Sequence, residues 1–258
     1  MWIILKKICV YLWIGFLIVP QSVMGENVKM MTRESQKIQW AGIPFDIIQS
    51  GKSNHHFIWI HGDEQTAKMA LEDYMETHEG KALFIQNHER EIPFETTTVD
   101  PNRIFSHEGS KKALRKFKTN WTKKQFQNAL SKLDEGRDDF FKELFPEEEG
   151  LLIALHNNSR GYNVYTEESK STEVSIKKNQ NPRDFILCTD LSDFEKLSAG
   201  PYNIVLQNRR LIEDDGSLSW ASLERGVRYI NIETRLGWLS QQKKMLTYID
   251  TVLLTKND

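Results

Sequence analysis

Short continuous apolar runs recur along the chain, Phe57 to Ile60, Ala82 to Ile85, Leu151 to Leu155 and Phe185 to Cys188, and Tyr202 to Leu206 and Tyr229 to Ile232 read as strands although Asn203 and Asn231 interrupt them. Apolar runs of this length without alternation are the pattern of strands covered on both faces. Between them the period changes. Ala67, Ala70, Leu71, Tyr74 and Met75 repeat at helical spacing before Gly80, and Leu191 to Leu197, Ser217 to Arg225 and Trp238 to about Leu254 read as further helices. Phe126, Ala129, Leu130, Leu133, Phe140, Phe141 and Leu144 predict one long amphipathic helix over Thr122 to Phe145, ended by Pro146 and Gly150. Alternation appears from Lys37 to Gln49 around Ala41-Gly42-Ile43-Pro44, the signal of two short strands in a hairpin.

The remaining segments read as connections. Glu26 to Gln36 is a polar lead-in, Glu89 to Thr98 is irregular, and Pro101 excludes a central strand, which puts Asn102 and Arg103 on a turn. Tyr162 to Ile176 reads as a surface excursion bordering a pocket. Strand, helix and strand from Phe57 to Ile85 form a βαβ unit with a right-handed crossover, so the class is α/β, with neither repeats nor a second domain.

Composition changes this picture at the amino end. Lys6 and Lys7 precede an apolar run from Ile8 to Pro20, and Val23-Met24-Gly25 offers a cleavage context, so residues 1–25 are expected to be a secretory signal peptide and 26–258 the catalytic domain. The lysines leave an apolar core shorter than the roughly 20 residues of a spanning helix, so no stable membrane span is expected after cleavage, and the location is periplasmic or secreted. Removing two lysines moves the formal charge from −2 to −2 − 2 = −4, which argues against a nucleic-acid partner. Cys188 is then the one remaining cysteine, excluding an intrachain disulfide and reading as an inert core thiol.

Chemistry collects where apolar runs end. In open α/β sheets ligands bind beyond the carboxyl ends of strands. His61-Gly62-Asp63-Glu64 follows one run, His156-Asn157-Asn158 another, and Glu233 a third. His61, Glu64 and His156 are the candidate ligands of one zinc ion, a set that leaves a fourth position open for water. Glu233 is the candidate general base, Arg103 with Asn102 the candidate grip on a substrate carboxylate, and Asp63 and Asn157 are candidates by adjacency. Each motif alone has a plainer reading: a capping turn for His61 and Glu64, a hydrogen-bonded sheet-edge histidine for His156, an ion pair with Arg235 for Glu233. His55, His56, His78, His88 and His107 read as surface or loop residues.

Taken in order, His61-x-x-Glu64, Asp100-Pro101-Asn102-Arg103 with Phe105, His156 and Glu233 resemble the zinc carboxypeptidases and their relatives, the succinylglutamate desuccinylases and aspartoacylases. The resemblance runs from about Phe57 to Gln242. It implies a single-domain mixed sheet of about eight strands with helices on both faces, zinc on His61, Glu64 and His156, a carboxylate held by Asn102 and Arg103, and Glu233 as base. The family's carbonyl-polarising arginine has Glu95 at the closest spacing here, which leaves Arg90 as the candidate. Its closing tyrosine has Tyr162 and Tyr165 as candidates. The expected activity is hydrolysis of an amide bond next to a free carboxylate, on a peptide such as a cell-wall peptide. An N-acyl amino acid is the alternative substrate, and a non-catalytic binding protein the alternative class.

Overall fold

The computed structural model describes residues 33–147, 149–210 and 213–255; the expected signal segment, residues 1–25, lies outside them. In chain order the elements are β1 (Arg33–Trp40), β2 (Ile43–Ser50), β3 (His55–Trp59), α1 (Gln65–Tyr74), β4 (Gly80–Ile85), β5 (Ile92–Phe94), β6 (Thr97–Val99), α2 (His107–Lys116), α3 (Lys123–Asp134), α4 (Arg137–Leu144) and β7 (Leu151–Asn158). There follow α5 (Val164–Glu168), β8 (Glu173–Ser175), β9 (Phe185–Cys188), α6 (Leu191–Ser198), β10 (Asn203–Leu206), α7 (Leu218–Arg225), β11 (Arg228–Arg235) and α8 (Leu239–Ile249). Among the described residues the main sheet has nine strands, against the eight or so expected, in the order β1-β2-β4-β3-β7-β11-β9-β10-β8. No helix of the described residues is long and apolar enough to cross a membrane.

The sheet is mixed. β4, β3, β7 and β11 run parallel at its centre, β9 is antiparallel to β11, and β2 is antiparallel to β4. From β3 the chain crosses through α1 to β4 on one side and returns later to β7 on the other. That reversal opens a crevice beyond the carboxyl ends of β3 and β7, the place where an α/β sheet accepts a ligand.

Alternation along β3 shows that both faces are covered. Phe57 packs against Tyr74 of α1, while its neighbour His56 bonds through Nδ1 to Leu144 O at the end of α4, 2.9 Å away. On the α4 side, Trp40 of β1 stacks on Phe140 with ring centroids 4.9 Å apart.

Several expectations need correction. β1 begins at Arg33, inside the expected lead-in: its residues up to Lys37 are exposed, so no apolar alternation marks it, and pairing with β2 makes it a strand. The irregular segment contains the β5–β6 hairpin. His107 opens α2, a helix that went unread because its residues are mostly charged; Ser106 caps it by accepting from Gly109 N. The long helix is two, α3 and α4, broken where Gly136 takes φ +73°. Both halves keep the same apolar period, so the pattern hides the break. The surface excursion contains α5 and the edge strand β8, paired antiparallel to β10.

The turn carrying Asn102 and Arg103 is held by a close backbone approach. Phe105 N donates to Gly216 O at 3.0 Å, and a Cβ placed on Gly109 would stand 2.2 Å from Gly216 Cα. Gly216 itself has φ +69°, a conformation that favours glycine. Gly109→Ala is therefore expected to lower stability by about 1–3 kcal/mol, read as a reduced thermal midpoint; a wild-type midpoint would contradict the packing described.

A second prediction concerns His56. Burial, larger than the opposing hydrogen bond to Leu144 O, lowers its pKa from 6.5 to about 4. The unfolded chain then takes the proton first, so this stabilisation is complete above pH 6.5, declines as pH falls, and is gone below about pH 4. The difference in unfolding free energy between wild type and His56→Gln should therefore change by on the order of 3 kcal/mol across that window in urea titrations. A difference that stays flat with pH would contradict the burial.

Candidate metal centre

β3 delivers Ile60 and His61 into a tight turn in which Glu64 N donates to His61 O at 3.1 Å and Trp59 Nε1 donates to Glu64 O at 2.9 Å. Gly62 is required here: its N donates to Glu89 O, and a Cβ on it would lie 2.4 Å from Asn87 O. That contact brings in the loop that carries Arg90.

The structure brings His61, Glu64 and His156 together, all buried. His61 Nδ1 lies 2.9 Å from Glu64 Oε1 and 3.2 Å from His156 Nδ1, and His156 Nδ1 lies 2.9 Å from Glu64 Oε2. Asp100 Oδ1 bonds His61 Nε2 at 2.9 Å, which holds a ring proton on Nε2 and aims Nδ1 at the other two residues. Burial alone would lower the His61 pKa; the Glu64 charge and the Asp100 hydrogen bond overcome it and push it up to about 9. Burial would likewise raise Glu64 and Asp100, but His61 and His156 hold Glu64 far below the carboxylate range, and His61 does the same for Asp100.

This donor set fits a metal ion. Two imidazoles and a carboxylate, each offering one ligand atom within 4.8 Å of the others, are the ligand types zinc takes, with the imidazoles giving up a proton on binding. Around a tetrahedral ion with bonds of ~2.0–2.1 Å, ligand atoms stand roughly 3.3 Å apart. The 3.2 Å between the two Nδ1 atoms and the 2.9 Å from each of them to one oxygen of Glu64 are close to that spacing.

Arg90 enters the same cleft but points at the ligands: its Nη1 donates to Glu64 Oε1 at 2.7 Å, and its Nη2 lies 3.8 Å from Asp100 Oδ2. Glu233 sits beside His156 in the parallel register of β11 and β7, so both side chains leave the same face. Burial, more than the neighbouring His156 and Glu64, sets its pKa, and the net direction is upward. Its carboxylate has Asn231 Nδ2 at 3.3 Å and Asn158 Nδ2 at 3.5 Å. The alternative partner Arg235 is engaged elsewhere, with Asp184 at 2.8 Å.

Asn102 and Arg103 line the cleft with these residues. Asn102 Oδ1 accepts from Leu218 N at 2.9 Å, so Nδ2 is the atom it can offer a carboxylate. Tyr162 also lines the cleft, whereas Tyr165 is exposed and outside its lining. Asp63 does not line it either.

Sequence reasoning left Asp100, Asn158 and Arg183 without roles. Asp100 had a visible signal, since an aspartate before a proline caps a turn, and its side chain does accept from Asn102 N. Arg183 grips Asn158 at Oδ1 (2.8 Å) and at the carbonyl oxygen (2.6 Å), contacts that no local pattern announces. Asn157 is more than adjacent. Its N donates to Glu64 Oε2 at 3.0 Å, while its Oδ1 accepts from Ala67 N at 2.7 Å, capping α1 from another strand. His56 is half-buried and not a surface residue; Cys188 is buried, and burial raises its thiol pKa, as an inert thiol requires.

No family model matches the chain, and no curated protein matches it. Among solved structures, the chain is similar to a candidate metallopeptidase from Shewanella amazonensis SB2B at 12% identity and TM-score 0.44, over 86% of this chain and 88% of that one. A candidate metallopeptidase from Shewanella baltica OS155 gives 12% and 0.43, over 84% and 86%. The ectoine utilization protein EutE (DoeB) from Ruegeria pomeroyi, in its apo form, gives 11% and 0.42, over 86% and 66%. Identities and scores this low leave the function to be read from this chain's own residues.

Adding zinc to metal-stripped protein is expected to raise the thermal midpoint of the wild type and to leave that of His61→Ala unchanged, with elemental analysis returning one equivalent against almost none. Asp100→Asn should still bind zinc but about 10–100-fold more weakly in a competition titration with a chelator. Equal affinities would remove Asp100 from the site.

Proposed function

We propose that this protein is a zinc-dependent hydrolase of amide bonds next to a free carboxylate, acting on a peptide in the manner of a carboxypeptidase. The observation that carries the reading is the convergence of His61 Nδ1, His156 Nδ1 and the Glu64 carboxylate at the foot of a cleft whose wall also holds Glu233, Asn102 and Arg103. The export expected from residues 1–25 belongs to the same proposal and rests on their sequence.

The cleft, of about 390 Å³, is large enough for a small substrate or a peptide end. Zinc held by His61, Glu64 and His156 supplies Lewis acidity toward a carbonyl and makes water more acidic. Glu233 takes the proton of the attacking water and returns it to the leaving nitrogen; its raised pKa makes it a stronger base than an ordinary glutamate. Arg103, whose Nη1 is anchored on Asn102 O at 2.6 Å, presents the rest of its guanidinium to a carboxylate. Arg90 holds Glu64 and, from the same position, borders the space that a polarised carbonyl oxygen would occupy.

A second substrate class, N-acyl amino acids, offers the same amide and the same carboxylate. It differs in having no chain beyond the acyl group. Comparing blocked dipeptides with N-acetyl and N-succinyl amino acids separates the two.

Glu233→Gln is expected to lower kcat by about 10²–10⁴ with zinc content unchanged, and Arg103→Ala to raise KM much more than it lowers kcat. Full activity in Glu233→Gln would overturn the assignment of the base. Zinc-loaded protein inactive on both substrate classes would leave a binding protein.

A further inference from the structure

Part of the cleft wall is used by neither metal binding nor proton transfer. Asn231 lies two positions before Glu233 on β11, on the same face, and beside Leu187 of β9. Its Nδ2 faces Glu233 Oε1 at 3.3 Å. A carboxylate only accepts, so this contact fixes which way the amide is turned. Asn231 Oδ1 is then a buried acceptor without a partner among the described residues. An acceptor shut away from water is costly until a donor reaches it, so the site is built to be completed.

The same cleft lining holds a buried carboxylate that neither metal binding nor proton transfer uses, Glu167. Gln207, 4% exposed, follows β10 and is pinned by its N donating to Cys188 O at 2.8 Å. Its Nε2 donates to Glu167 Oε2 at 3.1 Å. Glu167 comes from α5, is also 4% exposed, and lines the same cleft as Asn231. The other oxygen of Glu167 meets Lys170 Nζ at 3.3 Å, but the Lys170 side chain is 47% exposed. Gln207 and Tyr162, which also hydrogen-bonds Glu167, are therefore fixed partners and Lys170 a replaceable one, because its ammonium can return to water at little cost.

We propose that this wall is the subsite for the side chain of the carboxylate-bearing residue of the substrate, and that it takes an amine: the ammonium donates to Asn231 Oδ1 and is countered by Glu167, from which Lys170 withdraws. An aliphatic side chain would leave Asn231 Oδ1 unpaired, and an acidic one would meet Glu167 as a like charge. The proposal rests on the hydrolase reading for the placement of the substrate carboxylate at Arg103.

The test is calorimetric titration of the zinc-loaded protein with L-lysine, with L-norleucine, which has the same carbon chain and no side-chain amine, and with L-glutamate. Lysine is expected to bind at least about tenfold more tightly than norleucine, with glutamate weakest, and Glu167→Gln to bring lysine to within about twofold of norleucine. Equal affinities for lysine and norleucine, tighter binding of glutamate, no binding of lysine, or a lysine preference that survives Glu167→Gln would each overturn it. The comparison of ligands on the wild type needs no variant to fold. Zinc content and hydrolysis are measured on the same preparation: lysine selectivity without turnover would keep the subsite and reject the hydrolase, and turnover without selectivity would do the reverse.

Discussion

Two imidazoles and a carboxylate are held in contact in a buried pocket, with His61 Nδ1 and His156 Nδ1 3.2 Å apart and each 2.9 Å from one oxygen of Glu64, and much of the structure serves to keep them there. Besides their contacts with one another, His61, Glu64 and His156 are each held from behind by other groups. Asp100 takes the far nitrogen of His61, Arg90 and Asn157 N take the two oxygens of Glu64, and the ladder of β7 with β11 places His156 beside Glu233. Removing any of these leaves a buried charge or a buried acceptor less well satisfied, so the supports matter about as much as the ligands.

The same supports tie the site to the frame. Asn157 gives one backbone donor to Glu64 and uses its side chain to cap α1 and to reach Thr234 Oγ1 and Gln242 Oε1, at 2.9 and 3.0 Å. α1 and α8 are thus referenced to the strand that carries His156. On the substrate side, Asn102 receives Leu218 N at the start of α7, and Gly216 lies against Arg103, so the carboxylate grip is set by a loop more than a hundred residues later. A cleft assembled this way keeps its geometry through packing between distant segments, not through any local turn.

How much of this could be read beforehand follows from where the information resides. His61, His156 and Glu233 were legible because each ends a run that periodicity marks as a strand, and the sheet rule then places them together. The strands without that mark were missed: β1 is mostly exposed, β5 and β6 are three residues each, and β8 sits at an edge. Helix α2 was missed because charge hides its apolar face, and the break at Gly136 because α3 and α4 share one period. Asp100, Asn158 and Arg183 act through contacts between segments far apart in the chain, which no window along it contains. Their residue types were visible; their partners were not.

Register connects these two levels. Along β7 and β11 the odd and even positions serve different layers. Asn157 and Thr234 are paired and look toward α1 and α8, while His156 and Glu233 are paired and look into the cleft. A slip of one residue between the strands would bury Glu233 among helices and present Thr234 to the metal ligands. The apolar residues Ile153, Leu155, Ile230 and Ile232, none more than 0% exposed, hold that register in the core. The chemistry of the cleft therefore depends on hydrophobic packing one and three residues before it along each strand. Binding of a metal ion, a substrate carboxylate or an amine selects among groups that the strand alternation has already sorted.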